Sequence, residues 1–376
     1  MLGDVMLGRL IDAAVLPHPV DEEWEGDRSM TDLGQRYRGK YLTQQDLSEE
    51  KYYNRLWGDT TELLTKSACN MINLECCVTT WDKKFPKTFN YRTNPANIGA
   101  LTYVPIHFAC LANNHVLDYQ TPGMMDTLKT LNSTDIKFAG AGKDLKEASK
   151  AAVVELPSVD HRMNVISFAD HGSNIIREGK DVWAATDTRP GIWYVDIEKL
   201  NSNDRKDIAH TVRESAAKAG STLNVVSAHV GPNWSWTVRP AIRSLAKTLM
   251  QEGGVSIFHG HSSHHIQGVE FIDGKPVIYG AGPFLDDYAV DADYRNDLGF
   301  IYQYELPPVS ATTQCSPIVW AHPIRIKEFR VSRIKEADDP DFKWLASTMT
   351  KLCRNLGSNA EAELTFPPAV RIFPTS

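Results

Sequence analysis

Residues 255–265, VSIFHGHSSHH, carry an apolar run straight into a cluster of histidines, and residues 222–231, TLNVVSAHVG, end a similar run on His229. Both read as strands whose last residues are polar. Between them RPAIRSLAKTLMQEGG (239–254) places Ile242, Leu245 and Leu249 on one face and stops at a glycine pair, so it reads as an amphipathic helix. After the histidines, HIQGVEFIDGKPVIYGAG (265–282) predicts a hairpin turning at Asp273-Gly274.

The same alternation extends towards the N-terminus. CNMINLE (69–75), PIHFACLANN (105–114), KFAGAG (137–142) and RMNVISFA (162–169) read as strands. Helices are expected over 121–132, with Met124, Leu128 and Leu131 on one face, and over 203–219, from Ile208, Val212 and Ala216. Strand–helix–strand order implies an α/β fold, a largely parallel sheet flanked by helices. In such sheets the carboxyl ends of the strands form the site crevice. Glu75, Asn113, Asn114, His115, His229, His261 and His264 all fall at strand ends.

Residues 21–62, polar, charged and aromatic with weak periodicity, are expected to be an insertion. Residues 319–331 read as one strand, about 340–355 as a helix, and FPPAVRIFPTS (366–376) as an irregular tail or an oligomer contact. His322 reads as structural. The organisation expected is a domain over 1–305 and a C-terminal extension over 306–376 that packs on it.

The net charge of −7 argues against nucleic acid or an anionic membrane as partner. No apolar stretch is long enough to span a bilayer. The opening MLGDVMLGR lacks the apolar core of a signal peptide. Cys69, Cys76, Cys77, Cys110, Cys315 and Cys353 show no C-x-x-C spacing, so reduced, buried thiols and a cytoplasmic location are expected.

Each polar residue has a plain reading alone: Asp4 in a turn, Glu75 solvated, Asn114 capping a helix, His229 hydrogen-bonded in a core. Together they form a mixed oxygen and nitrogen set that suits Mn²⁺, Fe or Zn²⁺ better than Ca²⁺. Asn114 can ligate a hard cation and His115 can move protons. A turn the size of GHSSHH can aim His261 and His264 into one cavity. The set could hold one or two cations, and a water shared between two becomes a nucleophile near neutral pH.

GDVMLGR (3–9), NLE (73–75), ANNHVLDYQTPG (112–123), GAGKDLKEA (140–148), SAHVG (227–231), GHSSHHIQGVE (260–270) and VIYGAGPFLDD (277–287) follow one another in an order that resembles the CapA/PgsA family of capsule-synthesis and poly-γ-glutamate-associated proteins. The resemblance implies a metallophosphoesterase-like αββα sandwich. It implies that Asp4 binds a first metal, Glu75 lies between two, Asn114 binds the second, and His229, His261 and His264 complete the shells. His115 would then be the proton donor or transition-state stabiliser, Asp118 its orienting partner, and Arg9 an anion-binding group.

Ser262 and Ser263 stand where the family has His and Pro, which removes one potential ligand and a stiff residue. Met1 and Leu2 alone precede Gly3, so the family's first strand should be nearly absent. The departure PNWSWTVRP (232–240) brings Trp234 and Trp236 as residues that could line a substrate pocket. The family's membrane anchor is not seen. A soluble enzyme acting on a small molecule or peptide is expected, with a possible homo-oligomer. The reaction is hydrolysis of an amide or γ-glutamyl-type bond, or of a phosphoester at the same centre. A non-hydrolytic scaffold and an iron-dependent redox enzyme remain open at this level.

Overall fold

The structure, a computed structural model, describes residues 1–20, 34, 36–37, 48–170, 172, 175, 183–306 and 317–375. Two sheets form its centre. The first is wholly parallel, in the order Pro283–Leu285, Asp4–Val5, Met71–Leu74, Phe108–Cys110, Lys137–Ala139. Its inner strands Met71–Leu74 and Phe108–Cys110 are short, mostly apolar runs buried throughout, as a covered parallel sheet requires. Asp4–Val5 is only two residues long, yet it lies between two neighbours.

The second sheet runs Val269–Ile272, Lys275–Ile278, Ile257–His261, Leu223–His229, His161–Ala169, Ala152–Leu156. Its inner four strands are parallel and each edge is closed by an antiparallel strand. Alternate side chains choose opposite faces. Met163, Val165, Leu223 and Val225 pack in the core shared with the first sheet. Ile166, Phe168, Val226 and Ala228 pack instead under helices Ser202–Ala219 and Pro240–Gln251. Helices Glu49–Trp57 and Gln120–Asn132 send Leu56, Trp57, Met124, Leu128 and Leu131 into the core on the first sheet's side. The result is a layered α/β fold, helix–sheet–sheet–helix, as the sequence led one to expect.

The turn at Asp273-Gly274 has positive φ at both residues, 51° and 73°, which matches the twist of a two-residue hairpin. Several expected elements differ. The strand expected over 105–114 is confined to Phe108–Cys110, and the stretch 137–142 breaks at Gly140 into Lys137–Ala139 and Ala141–Gly142. The single strand expected over 319–331 is a hairpin, Val319–Lys327 with Arg330–Arg333, which turns at Glu328 and Phe329, both of positive φ. The C-terminal stretch is not an irregular tail: Ala369–Pro374 pairs with Val319–Lys327 and with Ser358–Glu363, and buries Val370 and Ile372. Of the expected insertion, residues 21–33, 35 and 38–47 lie outside the described residues, while Tyr53, Leu56 and Trp57 are core. The third sheet crosses the expected boundary at 305–306, because Leu298–Tyr304 pairs along its length with Val319–Lys327, and helix Pro340–Leu356 covers it. Among the described residues, no helix is long and apolar enough to cross a membrane. Cys69, Cys76, Cys77, Cys110 and Cys353 are free thiols; Cys315 lies outside the described residues.

Candidate metal centre

The two central sheets end their parallel strands at a common edge, and the polar strand-end residues meet there. Asp4 is in register with Asn73, and His229 with His261. Glu75 follows Met71–Leu74 directly, and its amide donates to Val5 O at 2.9 Å. Asp4, His229 and His261 each offer an atom within 4.8 Å of the others, and so do Asp4, Glu75 and His264. Asp4 is common to both groups. Glu75 Oε1 is a second hub, 3.8 Å from His229 Nε2, 3.8 Å from His264 Nε2 and 3.9 Å from His115 Nε2. Asn114 Oδ1 lies 3.1 Å from His229 Nε2. Asp4, Glu75, Asn114, His229, His261 and His264 therefore converge at one buried point.

Side chains behind the cluster hold it in place. Asn73 donates to Asp4 Oδ1 at 2.8 Å and lies 3.3 Å from His229 Nδ1. Asn113 donates to Asn73 Oδ1 and accepts from the amides of His115 and Val116, which fixes the turn that presents Asn114 and His115. His261 is backed by Ser227 at 3.2 Å, Ser227 by His259, and His259 reaches Leu2 O at 2.8 Å. Ser262 and Ser263, which replace the family's His and Pro, tie the loop down instead: Ser262 Oγ donates to Gly231 O and Ser263 Oγ to His265 O.

Four atoms at the centre have no hydrogen-bond partner: Asp4 Oδ2, both carboxylate oxygens of Glu75, and His264 Nδ1. Burial pushes Asp4 up to about 7 and Glu75 well above the carboxylate range, with Asp4 adding to the push on Glu75. Burial pulls His229 and His261 well below the imidazole range and His264 down to about 3. An unpaired buried neutral polar group costs ~2–7 kcal/mol by transfer scales, and an ionised carboxylate far more. A cation among these atoms removes that cost and reverses the shifts. The donor set, carboxylate, carboxamide and imidazole, fits a borderline divalent cation such as Mn²⁺, Fe²⁺ or Zn²⁺.

A cleft of about 630 Å³ opens over the cluster, with His115, His264, Arg9, Lys87, Phe89 and Trp234 on its walls. His115 stacks on Tyr91 at 4.0 Å, and its Nδ1 lies 2.7 Å from Asp118 Oδ2. Asp118 also accepts from the Tyr91 amide at 2.6 Å and pairs with Lys87 at 2.5 Å. Nδ1 is thus the ring nitrogen that carries hydrogen, and Nε2 faces Glu75 and the cleft. Burial, then Lys87 and Arg9, hold His115 well below the usual imidazole range, so the ring is neutral near pH 7. Arg9 grips Asp287 through Nε at 2.9 Å and lies over Tyr91 and Tyr288. Trp234 reaches the cleft, 39% exposed. Trp236 is not brought there: it packs on His265 and Tyr294 in the aromatic cluster that backs the histidine loop.

Asn73, Lys87, Tyr91, Asp286, Asp287, Tyr288 and His259 were not singled out by the sequence reading. The acidic pair 286–287 lies inside the motif VIYGAGPFLDD and could have been flagged; Lys87 and Tyr91 carry no local signal.

Fold and site together define a two-sheet α/β protein with a carboxylate–histidine centre under an open cleft. The chain belongs to the family described as bacterial capsule synthesis protein PGA_cap, whose pattern matches residues 1–288. It is 32% identical over 372 residues to a probable polyglutamine synthesis accessory protein of Mycobacterium tuberculosis, covering 94% of this chain and 90% of that one. It is 27% identical over 205 residues to the PGA biosynthesis protein CapA of Bacillus subtilis (54% of this chain, 49% of that one). Against the capsule biosynthesis protein CapA of Bacillus anthracis it is 23% identical over 287 residues (76% and 59%).

Proposed function

We infer that the protein is a metal-dependent hydrolase that cleaves an amide or γ-glutamyl-type bond in a small molecule or peptide. The observation that carries this reading is the convergence of unpartnered Asp4, Glu75 and His264 atoms beneath His115 at the floor of the cleft. Asp4, Glu75, Asn114, His229, His261 and His264 would hold one or two divalent cations. When bound, they supply Lewis acidity, which polarises a carbonyl and acidifies a water.

The chain's own residues supply the proton transfer. Neutral His115 presents a bare Nε2 to the site, takes a proton there and returns it to the departing amine. Asp118 holds the Nδ1 hydrogen and stabilises the imidazolium that forms between the two events. Lys87 keeps Asp118 in place. Trp234 and Phe89 offer apolar surface to the groups flanking the bond.

The same centre could serve a phosphoester. The two cationic side chains on the cleft wall, Arg9 and Lys87, are already matched by Asp287 and Asp118, which favours a substrate without a dianionic phosphate. The relatives' names, polyglutamine, PGA and capsule synthesis, are in keeping with a glutamyl-type substrate.

Elemental analysis of the wild type and of Glu75→Ala, His261→Ala and His115→Ala tests the reading, together with turnover of γ-glutamyl peptides and chromogenic phosphate esters. The first two substitutions should lower bound metal and leave the fold intact. His115→Ala should keep the metal and lose turnover. Substoichiometric metal in the wild type after reconstitution would overturn the reading in favour of a non-hydrolytic scaffold.

A further inference from the structure

Asp286 stands in one row with Glu75. Val5 pairs with Leu74 on one side and with Leu285 on the other. The Glu75 amide donates to Val5 O at 2.9 Å and the Met6 amide to Leu285 O at 2.8 Å. The next residues along the chain are therefore Glu75, Met6 and Asp286, each immediately past the end of its strand, beside a pairing whose register shifts between Asp4 and Val5.

Asp286 is buried, 5% exposed. Its Oδ1 accepts from the Tyr288 amide at 3.0 Å, which gives that oxygen a structural task. Oδ2 is sealed from solvent and has no hydrogen-bond partner. Its charge bears on both Glu75 and Asp4, so the three carboxylates share one electrostatic neighbourhood. The neighbouring Asp287 has its cation in Arg9, bound through Nε. Asp286 shares the charge of Arg9 only at a distance, without a direct ion pair, and a buried carboxylate not directly paired is the more costly arrangement unless further positive charge arrives from elsewhere. Oδ2 is not one of the tightly grouped ligand atoms of Asp4, Glu75 and His264. Its place is one step further out, where a carboxylate accepts hydrogen bonds from the water around a cation and offsets its charge.

We propose that Asp286 is the third carboxylate of the metal centre: through Oδ2 it accepts from the hydration water of a divalent cation held by Asp4, Glu75 and His264. This rests on the metal reading above and adds to it a residue that strengthens cation binding without being a direct ligand.

The test is calorimetric titration of Mn²⁺ into chelator-stripped wild type, Asp286→Asn and Glu75→Gln, with the melting temperature of each metal-free protein. Asn keeps the acceptor for the Tyr288 amide and removes the charge. Asp286→Asn should bind Mn²⁺ ~10–100-fold more weakly, and its metal-free form should melt at or above the wild-type temperature. Glu75→Gln should bind more weakly still. A residue with a purely structural role would behave oppositely, with a lower metal-free melting temperature and an unchanged Kd. If wild type and Glu75→Gln differ but Asp286→Asn matches wild type, the assignment of Asp286 is overturned and the metal centre stands. If wild type takes up no Mn²⁺, both are overturned. Asp286→Ser serves as a second charge-removing variant, with the same expected loss of affinity, should the Asn protein not fold.

Discussion

Replacing Asp118 by Asn tests the orientation of His115 without touching a metal ligand. The carboxylate accepts on one oxygen and pairs by charge on the other: the Tyr91 amide at 2.6 Å and His115 Nδ1 at 2.7 Å meet Oδ2, and the Lys87 ammonium forms an ion pair with Oδ1. An Asn side chain has one oxygen and one NH₂ group. If NH₂ faces Lys87, two donors confront each other. If it faces Tyr91 and His115, the Tyr91 amide loses its acceptor and the imidazole must move its hydrogen to Nε2. Losing one charged hydrogen bond (~1.5–3 kcal/mol) and leaving one buried donor unmatched (~1–3 kcal/mol) sums to roughly 2.5–6 kcal/mol of stability. The second arrangement puts an N–H where the proton acceptor should be, and turnover should fall ~10²–10⁴-fold. Denaturant unfolding reads the first effect. Nitrogen-15 spectra of histidine-labelled protein read the tautomer independently of any substrate. Metal content should be unchanged. A His115 that stays Nδ1-protonated, with full stability, would refute the reasoning.

Further outcomes follow from the packing. Gly260→Ala would place a Cβ 2.2 Å from Tyr279 O, inside the strand that delivers His261; it should cost ~1–3 kcal/mol or more and weaken metal binding, and an unchanged melting temperature would contradict the close approach. Trp57→Ala removes a ring with no exposure and a 2.7 Å bond from Nε1 to Ala100 O; a loss of ~3–5 kcal/mol is expected, and a negligible one would make Glu49–Trp57 peripheral. His322 is pulled from 6.5 down to about 4, first by burial, so below pH 6.5 the unfolded chain binds its proton while the folded chain does not. Stability should therefore fall with pH between 6.5 and 4, by about 2 kcal/mol at pH 5, and His322→Gln should lose correspondingly less over that interval in denaturant titrations.

The alternation of strands and helices was legible because each carries its own period. Met124, Leu128 and Leu131 point inward from one helix face, and Ile242, Leu245 and Leu249 from another. The ligand candidates were legible because each breaks an apolar run with a polar residue, and parallel strands carry such breaks to one edge. Local pattern says little about loops that arrive from elsewhere. Lys87 sits in an ordinary basic stretch, and only the tertiary fold sets it on Asp118. Trp234 and Trp236 looked equivalent, and both rings meet His265 and Tyr294, yet Trp234 alone of the two also lines the cleft. The hairpin at Glu328 and Phe329 was missed because neither residue is a usual turn former. Pro367, Pro368 and Pro374 disguised a strand that pairs with nearby Ser358–Glu363 and, further back in the chain, with Val319–Lys327.

Asp4–Val5 lies between Met71–Leu74 and Pro283–Leu285. A ribosome adding ~5–20 residues per second would release Asp4 roughly 15 to 55 seconds before Pro283. Throughout that wait one flank of the sheet's second strand has no companion, and for most of it the imidazole of residue 264 has yet to be synthesised. Any cation held by this centre would therefore be taken up late, after these segments have emerged. Any holding chaperone that engages this nascent chain has the most to protect along the vacant flank of its first strand.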